Sequence, residues 1–355
     1  MTEPLRILIV DDSPLMQGLL TQLMSRDAGL KVVGTASNGQ KALTLVASLK
    51  PDLITMDLNM PVMDGRETTR QIMSRFPTPI LIISSSVHHE DKHSVFELIS
   101  YGALDVIDKA VFELGGNLDA AGQDLIDRIK LLSRIKVIRR LSKLPTDQEN
   151  DPKKPVEKYT GKALFADLVA IAASTGGPRV LRILLGNLPK DFPCGILIVQ
   201  HIAKGFAESL TKWLSEESQL PVLLAKNGME IHPSTVYIAP HGLHMKVMSG
   251  ARISLVDGIP FEGNKPSGNA LFESVAEVYG SRAIGVVLTG MGTDGAEGLK
   301  KLKAVSGRVI AQDEKTSAIF GMPKAAIDLR IVDQILPIEE IGSQLIRWIS
   351  LSSPR

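Results

Sequence analysis

Ile7-Leu8-Ile9-Val10-Asp11-Asp12 is an uninterrupted apolar run that stops abruptly on two acids. The pattern returns along the first third of the chain. Leu53-Ile54-Thr55-Met56 runs into Asp57, Ile80-Leu81-Ile82-Ile83 into Ser84, and Val106-Ile107 into Asp108-Lys109. A strand with one face in water alternates polar and apolar residues. An apolar run without alternation fits a strand covered on both faces, as in a parallel sheet. The stretches between the runs are amphipathic and suit crossover helices. This alternation predicts a doubly wound α/β fold.

In such folds functional groups gather beyond the carboxyl ends of the strands. Asp11, Asp12, Asp57, Ser84 and Lys109 all stand there and are expected to share one pocket. Three carboxylates brought together repel one another unless a cation joins them. A small set of hard oxygen ligands suits Mg²⁺, which keeps several waters and binds phosphate oxygens. A metal beside Asp57 would neutralise an incoming phosphoryl group and let the carboxylate act as nucleophile. One acid after one strand would read as a solvated loop residue, but the whole set does not.

The chain has 355 residues, enough for two domains, and 44% of them are apolar. Lys and Arg total 40 against 39 for Asp and Glu. That balance lacks the basic excess of a general nucleic-acid or membrane-surface binder. No stretch reaches the ~18 apolar residues of a membrane span, and no signal pattern opens the chain, so a soluble cytoplasmic protein is expected. The single cysteine, Cys194, excludes an internal disulfide and adjoins a strand-like run, where it reads as an inert buried thiol.

Ser142–Lys162, SKLPTDQENDPKKPVEKYTGK, is charged, holds three prolines and has no apolar period, which marks a linker. Before it lies a basic amphipathic stretch. Leu125, Ile129 and Leu132 share one face, while Arg128, Lys130, Arg134, Lys136, Arg139 and Arg140 point elsewhere. It reads as the last helix of the first domain with a solvated basic side, or as a partner-docking helix. Strand runs resume at Leu168–Ile171, Ile196–Val199, Val222–Leu224, Val236–Ile238, Ile284–Leu288 and Val309–Ala311. The expected organisation is a domain over 1–125, a helix and flexible linker over 126–162, and a second α/β domain over 163–355.

In the second half, Ala172-Ala173-Ser174-Thr175-Gly176-Gly177-Pro178 follows a strand and precedes a helical pattern. Small neighbours permit a tight turn and leave the Ser174 oxygen open to a substrate. Serine is a weak nucleophile and needs a base. His201 ends the run Ile196–Gln200 and is expected on the same sheet edge. Asp294, within Leu288-Thr289-Gly290-Met291-Gly292-Thr293-Asp294-Gly295, follows a third strand and could orient the imidazole. The Met291 backbone N–H could stabilise an oxyanion. Each element alone is weak, and the G-x-S-x-G elbow is absent.

Other readings compete. Gly290, Gly292 and Gly295 spell G-x-G-x-x-G after a strand, with Asp313 or Glu314 further on, which is a dinucleotide fingerprint. It sits late in its domain and leaves the Ser174 and His201 segments unexplained. His89 and His93, four apart, could chelate zinc on a helix but lack an obvious third ligand, so they read as surface residues. His241 and His244 read as loop or packing residues. A docking protein without turnover also remains open on the residues alone.

VDDS (Val10–Ser13), MDLNMPVMDG (Met56–Gly65), IISSS (Ile82–Ser86) and Asp108-Lys109 resemble the receiver domain of two-component response regulators. The resemblance implies that Asp57 accepts phosphate from a chemotaxis-type histidine kinase, that Asp11 and Asp12 help hold Mg²⁺, and that Ser84 and Lys109 sense the phosphate. Val106 replaces the usual aromatic switch residue, and Ala110 the usual proline after the lysine.

AASTGGP, VQHIAKGF (Val199–Phe206), YIAPHGLHM (Tyr237–Met245), LTGMGTDGAEG (Leu288–Gly298) and IFGMP (Ile319–Pro323) resemble the chemotaxis protein-glutamate methylesterase family. That resemblance implies two doubly wound parallel-sheet domains, a flavodoxin-like receiver and a Rossmann-like methylesterase domain. It implies Ser174 as nucleophile toward a glutamyl methyl ester of a methylated chemoreceptor, His201 as base and Asp294 as orienter, without a cofactor. It also implies glutamine deamidation. The unphosphorylated receiver would partly cover the Ser174 site, and phosphate on Asp57 would uncover it. The segment Asn264–Phe272 departs from the family's usual arginine- and aspartate-bearing version.

Overall fold

A computed structural model describes residues 3–84, 89–112, 117–135, 137, 166–261 and 263–350, with only the backbone of 89–94. The linker 142–162, Lys136, Arg139 and Arg140, and the side chains of His89 and His93, lie outside the described residues. The chain divides into two compact units, residues 1–149 and 150–355.

The first unit alternates strictly: β1 (Leu5–Val10), α1 (Pro14–Met24), β2 (Leu30–Ala36), α2 (Gly39–Leu49), β3 (Leu53–Met56), α3 (Gly65–Arg75), β4 (Ile80–Ser84), α4 (His89–Tyr101), β5 (Asp105–Asp108) and α5 (Leu118–Leu132). The strands form one parallel sheet in the order β2-β1-β3-β4-β5, the flavodoxin-like order with its switch point between β1 and β3. Polar caps set the helix starts. Ser13, Asn38, Asp64 and Asn117 each accept a first-turn N–H, and Pro14 follows Ser13. β2 escapes the search for apolar runs because it is an edge strand, broken by Lys31, Gly34 and Thr35 and only partly buried.

Helix α5 buries Gly122, Leu125, Ile126, Ile129 and Leu132. The expected domain edge at residue 125 therefore cuts a helix whose apolar face continues to Leu132, and the first unit keeps the whole helix. Its basic side is partly occupied within the unit. Arg128 pairs with Asp105 and Asp124, and Lys130 pairs with Asp27. Those contacts favour the last-helix reading over a free docking face.

The second unit contains β6 (Leu168–Ala173), α6 (Gly177–Gly186), β7 (Gly195–Gln200), α7 (Ala207–Glu217), β8 (Val222–Leu224), β9 (Val236–Ile238), β10 (His244–Met248), β11 (Arg252–Val256), α8 (Gly268–Tyr279), β12 (Ala283–Val287), α9 (Ala296–Ala304), β13 (Arg308–Gln312), α10 (Met322–Asp328), β14 (Gln334–Leu336) and α11 (Ile338–Ser350). Seven strands form a parallel sheet in the order β14-β13-β12-β6-β7-β9-β8. From β6 the chain proceeds to β7 on one side, and returns later as β12 on the other. The carboxyl end of β6 is thus a switch point, where α/β folds open a crevice.

Strands β6 and β7 are buried at every position, and helices cover both faces. Sequence runs locate all the central strands but miss β10 and β11. These form an antiparallel hairpin in register Met245↔Leu255 and Val247↔Ile253. Met245, Val247 and Ile253 are buried, while Lys246 is only partly covered and Met248 is exposed. Such a one-sided strand has period two rather than a continuous apolar run. β14 is missed because it is a three-residue edge strand. Among the described residues no helix is long and apolar enough to cross a membrane.

Candidate functional site

The acidic pocket assembles at the switch point of the first sheet. Lys109 Nζ lies 2.8 Å from Asp11 Oδ2 and 2.7 Å from Asp57 Oδ2. Asp11 and Asp57 are buried, Asp12 is exposed, and ligand oxygens of all three lie within 4.8 Å of one another. Ser84 is buried at the end of β4, paired in register with Asp108. Backbone donors fix both buried acids. Leu58 N–H donates to Asp57 Oδ1 at 2.7 Å, and Ser13 N–H donates to Asp11 Oδ1 at 2.9 Å.

One ammonium thus serves two buried carboxylates. Burial pushes Asp57 above the ordinary carboxylate value; Lys109 opposes this and Asp11 adds to it. Burial works to lower Lys109, yet its bonds to Asp11 and Asp57 outweigh that and hold it above its ordinary value. Asp11 Oδ2 makes no hydrogen bond beyond the Lys109 ion pair. The pocket therefore keeps excess negative charge and hard oxygens, the donor set that suits Mg²⁺.

The second cluster forms at the switch point of the second sheet. Ser174 follows β6, His201 follows the neighbouring β7, and Asp294 lies in the loop after β12 on the other side. His201 N–H donates to Ala173 O at 2.9 Å, which keeps the two strand ends together. Gly290 brings the β12 loop close, since a β-carbon on it would lie 2.7 Å from Ser174 Cβ. Met291, the candidate oxyanion donor, is the next residue. His201 Nε2 and Asp294 Oδ2 are 2.8 Å apart. Ser174 is partly exposed, and the structure gives its hydroxyl no hydrogen bond to His201.

Asp294 is 1% exposed and is gripped by the start of α8. Oδ2 accepts from Gly268 N–H at 2.6 Å, and Oδ1 accepts from Ser267 Oγ at 2.7 Å and Asn269 N–H at 3.0 Å. A helix N-terminus favours a carboxylate. Burial works to raise Asp294, but His201 and then Ser267 and Asn269 outweigh it and hold its pKa below the ordinary value. Ser267 is itself placed by His244, whose Nδ1 accepts Ser267 N–H at 3.2 Å while Nε2 donates to Ile259 O at 3.0 Å.

The grip is returned. Asn269 Oδ1 accepts from Gly295 N–H at 3.1 Å and Gly298 N–H at 2.7 Å, capping α9 from a neighbouring helix. The sequence reading marks Asn264–Phe272 only as a departure from the family pattern and misses this role. The available signal was Ser267-Gly268-Asn269, a helix-start pattern. His244 matches the expected packing role.

The same contacts oppose a dinucleotide site. Asn269 already occupies the amides at the start of α9, and Asp313 accepts from Thr316 N–H and Oγ1. Cys194 is buried, its thiol pushed up to about 12 chiefly by burial, which fits an inert residue.

Residues 169–345 match the family described as CheB methylesterase, and residues 7–114 match the response regulator receiver domain. The chain is 42% identical over 353 residues to protein-glutamate methylesterase/protein-glutamine glutaminase 1 of Syntrophus aciditrophicus (strain SB), covering 99% of this chain and 100% of that one. It is 41% identical over 343 residues to the protein-glutamate methylesterase/protein-glutamine glutaminase 2 of Anaeromyxobacter dehalogenans (strain 2CP-C), covering 96% of each. The crystal structure of the Thermotoga maritima CheB methylesterase catalytic domain matches with 39% identity and a TM-score of 0.50, over 51% of this chain and 98% of that one. With that identity running nearly end to end, the chain belongs to the CheB methylesterase family and carries its receiver domain ahead of the methylesterase domain.

Proposed function

We propose that this chain hydrolyses glutamate methyl esters on methyl-accepting chemoreceptors, and deamidates glutamines there, under control of phosphorylation at Asp57. The relatives' names supply the reaction class. The observation that carries the assignment is the His201–Asp294 pair beside the Ser174 turn.

Asp294 is the acceptor at His201 Nε2, so the neutral ring carries its proton there and Nδ1 is the basic atom. Nδ1 removes the Ser174 proton as Oγ bonds to the ester carbonyl carbon. The Met291 N–H stabilises the oxyanion. On collapse the C–OCH₃ bond breaks, and the leaving oxygen takes the proton from His201 to give methanol. Water then attacks the acyl-serine ester, with His201 as base again, and releases glutamate and Ser174. With a glutamine the leaving group is ammonia. Catalytic hydrogen bonds often tighten only with substrate bound, which fits a Ser174 hydroxyl not yet turned to His201.

In the receiver, the Asp57 carboxylate attacks the phosphorus of a phosphohistidine, and histidine leaves. Mg²⁺ held by Asp11, Asp12 and Asp57 would supply positive charge opposite the phosphoryl oxygens. Lys109 and Ser84 contact the phosphoryl group and transmit its arrival.

The test is methanol release from a methylated receptor by the full chain, with and without a small-molecule phosphodonor. The donor is expected to raise the rate roughly 5- to 150-fold, the span of ordinary coupling between sites. Asp57→Asn is expected to lose that response. A response that persists in Asp57→Asn removes Asp57 as the control point.

A further inference from the structure

The turn that carries Ser174 is tied from both sides. Toward β12, Ser174 N–H donates to Thr289 O at 3.0 Å, and Thr289 Oγ1 donates to Thr175 O at 3.0 Å. Toward β7, the last ladder bond is His201 N–H to Ala173 O, and beyond it the two chains diverge. The next tie is a side chain. Gln200 closes β7 and is 2% exposed. Its Nε2 donates to Ser174 O and to His201 O, each at 2.8 Å.

One amide group thus spans the carbonyls of the candidate nucleophile and the candidate base. Holding a carbonyl oxygen fixes the peptide plane that follows its Cα, and with it the direction in which the side chain leaves the backbone. The other end of the amide gains nothing comparable. Gln200 Oε1 is buried and accepts no hydrogen bond. It packs against Gly177, the first residue of α6, where a β-carbon would come within 1.9 Å of it. A buried, unpaired carbonyl is unfavourable, and an apolar side chain of similar shape would avoid it. What the glutamine contributes here is therefore its two donated bonds.

We propose that Gln200 is a positioning residue that sets the separation and relative orientation of Ser174 and His201. The inference rests on the assignment of those two residues as nucleophile and base. It concerns the reaction rate and not substrate affinity, since Gln200 is enclosed and both its hydrogen bonds go to backbone carbonyls.

Two substitutions in the full chain test it. Gln200→Met keeps length and bulk but donates nothing, and kcat is expected to fall roughly 100-fold with KM little changed, the scale of a small misplacement of reacting groups. Gln200→Glu is nearly isosteric, but as a carboxylate it repels both carbonyls. Its protonated form recovers one O–H donor, and burial between carbonyls favours that form. The ratio of Gln200→Glu to wild-type kcat is therefore expected to rise as pH falls. Labelling of Ser174 by a fluorophosphonate should slow in parallel. Wild-type kcat in Gln200→Met, or a ratio for Gln200→Glu that does not change with pH, overturns the inference. The pH ratio decides the matter if Gln200→Met proves unstable. Ser174→Ala run alongside separates the two levels: turnover that survives it refutes the underlying assignment, whereas Ser174-dependent turnover untouched by both Gln200 variants refutes only the role of Gln200.

Discussion

Ser174→Ala is expected to lower kcat for receptor demethylation by about 10⁴-fold or more, the scale seen when a nucleophile is removed from a cooperating set. Covalent labelling by a fluorophosphonate should vanish with it. The loss should be chemical rather than structural. The hydrogen bonds of Ser174 are made by its backbone: N–H to Thr289 O, and the carbonyl from Gly177 N–H and Gln200 Nε2. The substitution removes one partly exposed hydroxyl and leaves those bonds in place. Thermal unfolding and receptor binding should therefore stay near wild type while turnover disappears. Methanol release by Ser174→Ala at the wild-type rate would remove the serine mechanism. Wild-type chain that binds a methylated receptor but never releases methanol would favour the docking reading.

The second large effect belongs to Asp294→Asn. Loss of an orienting carboxylate from such a site lowers kcat by about 10⁴-fold where the geometry is otherwise kept. Here the geometry itself should suffer. Four donors converge on the carboxylate: His201 Nε2, Gly268 N–H, Ser267 Oγ and Asn269 N–H. An amide offers only one acceptor oxygen. Whichever way Asn is turned, its NH₂ faces a backbone N–H, at the place of Gly268 or of Asn269. A stability loss of about 2 kcal/mol is expected, within the range for leaving a buried donor unpaired.

The loss should also depend on pH. Asp294 is held below the ordinary carboxylate value, so its ionised form stabilises the fold fully above that value. The contribution disappears as pH falls through the lowered value. Denaturation at neutral and at strongly acid pH should show the gap between wild type and Asp294→Asn shrinking in acid. A gap that stays constant would contradict the ionised-carboxylate account.

Much of this was readable from residue order because parallel strands announce themselves. A strand buried on both faces leaves an apolar run, and its last residue marks the functional edge of the sheet. That logic places Asp11, Asp57, Ser84, Ser174 and His201 at those edges from residue order alone. It failed where burial is one-sided: β2 and β14 at sheet edges, and the β10–β11 hairpin. It also failed for contacts between groups distant in sequence. Ser267 and Asn269 reach Asp294 from the next helix, and no local pattern says which acid a helix start will hold. Gln200 was passed over for a similar reason, since a polar residue at a strand end reads as a terminator until its two acceptors are seen.

The crossed caps between α8 and α9 have a dynamic consequence. An ordinary helix end frays alone, at little free energy, because its cap is local. Here Asp294 precedes α9 but closes α8, and Asn269 lies in α8 but closes α9. Unwinding either start removes a partner of the other, so the openings of the two are coupled. The acid behind His201 is thereby removed from the low-energy fluctuations of a loop. It leaves its place only in a joint opening of both helices, so the amides of Gly268, Asn269, Gly295 and Gly298 belong to one unit of hydrogen exchange.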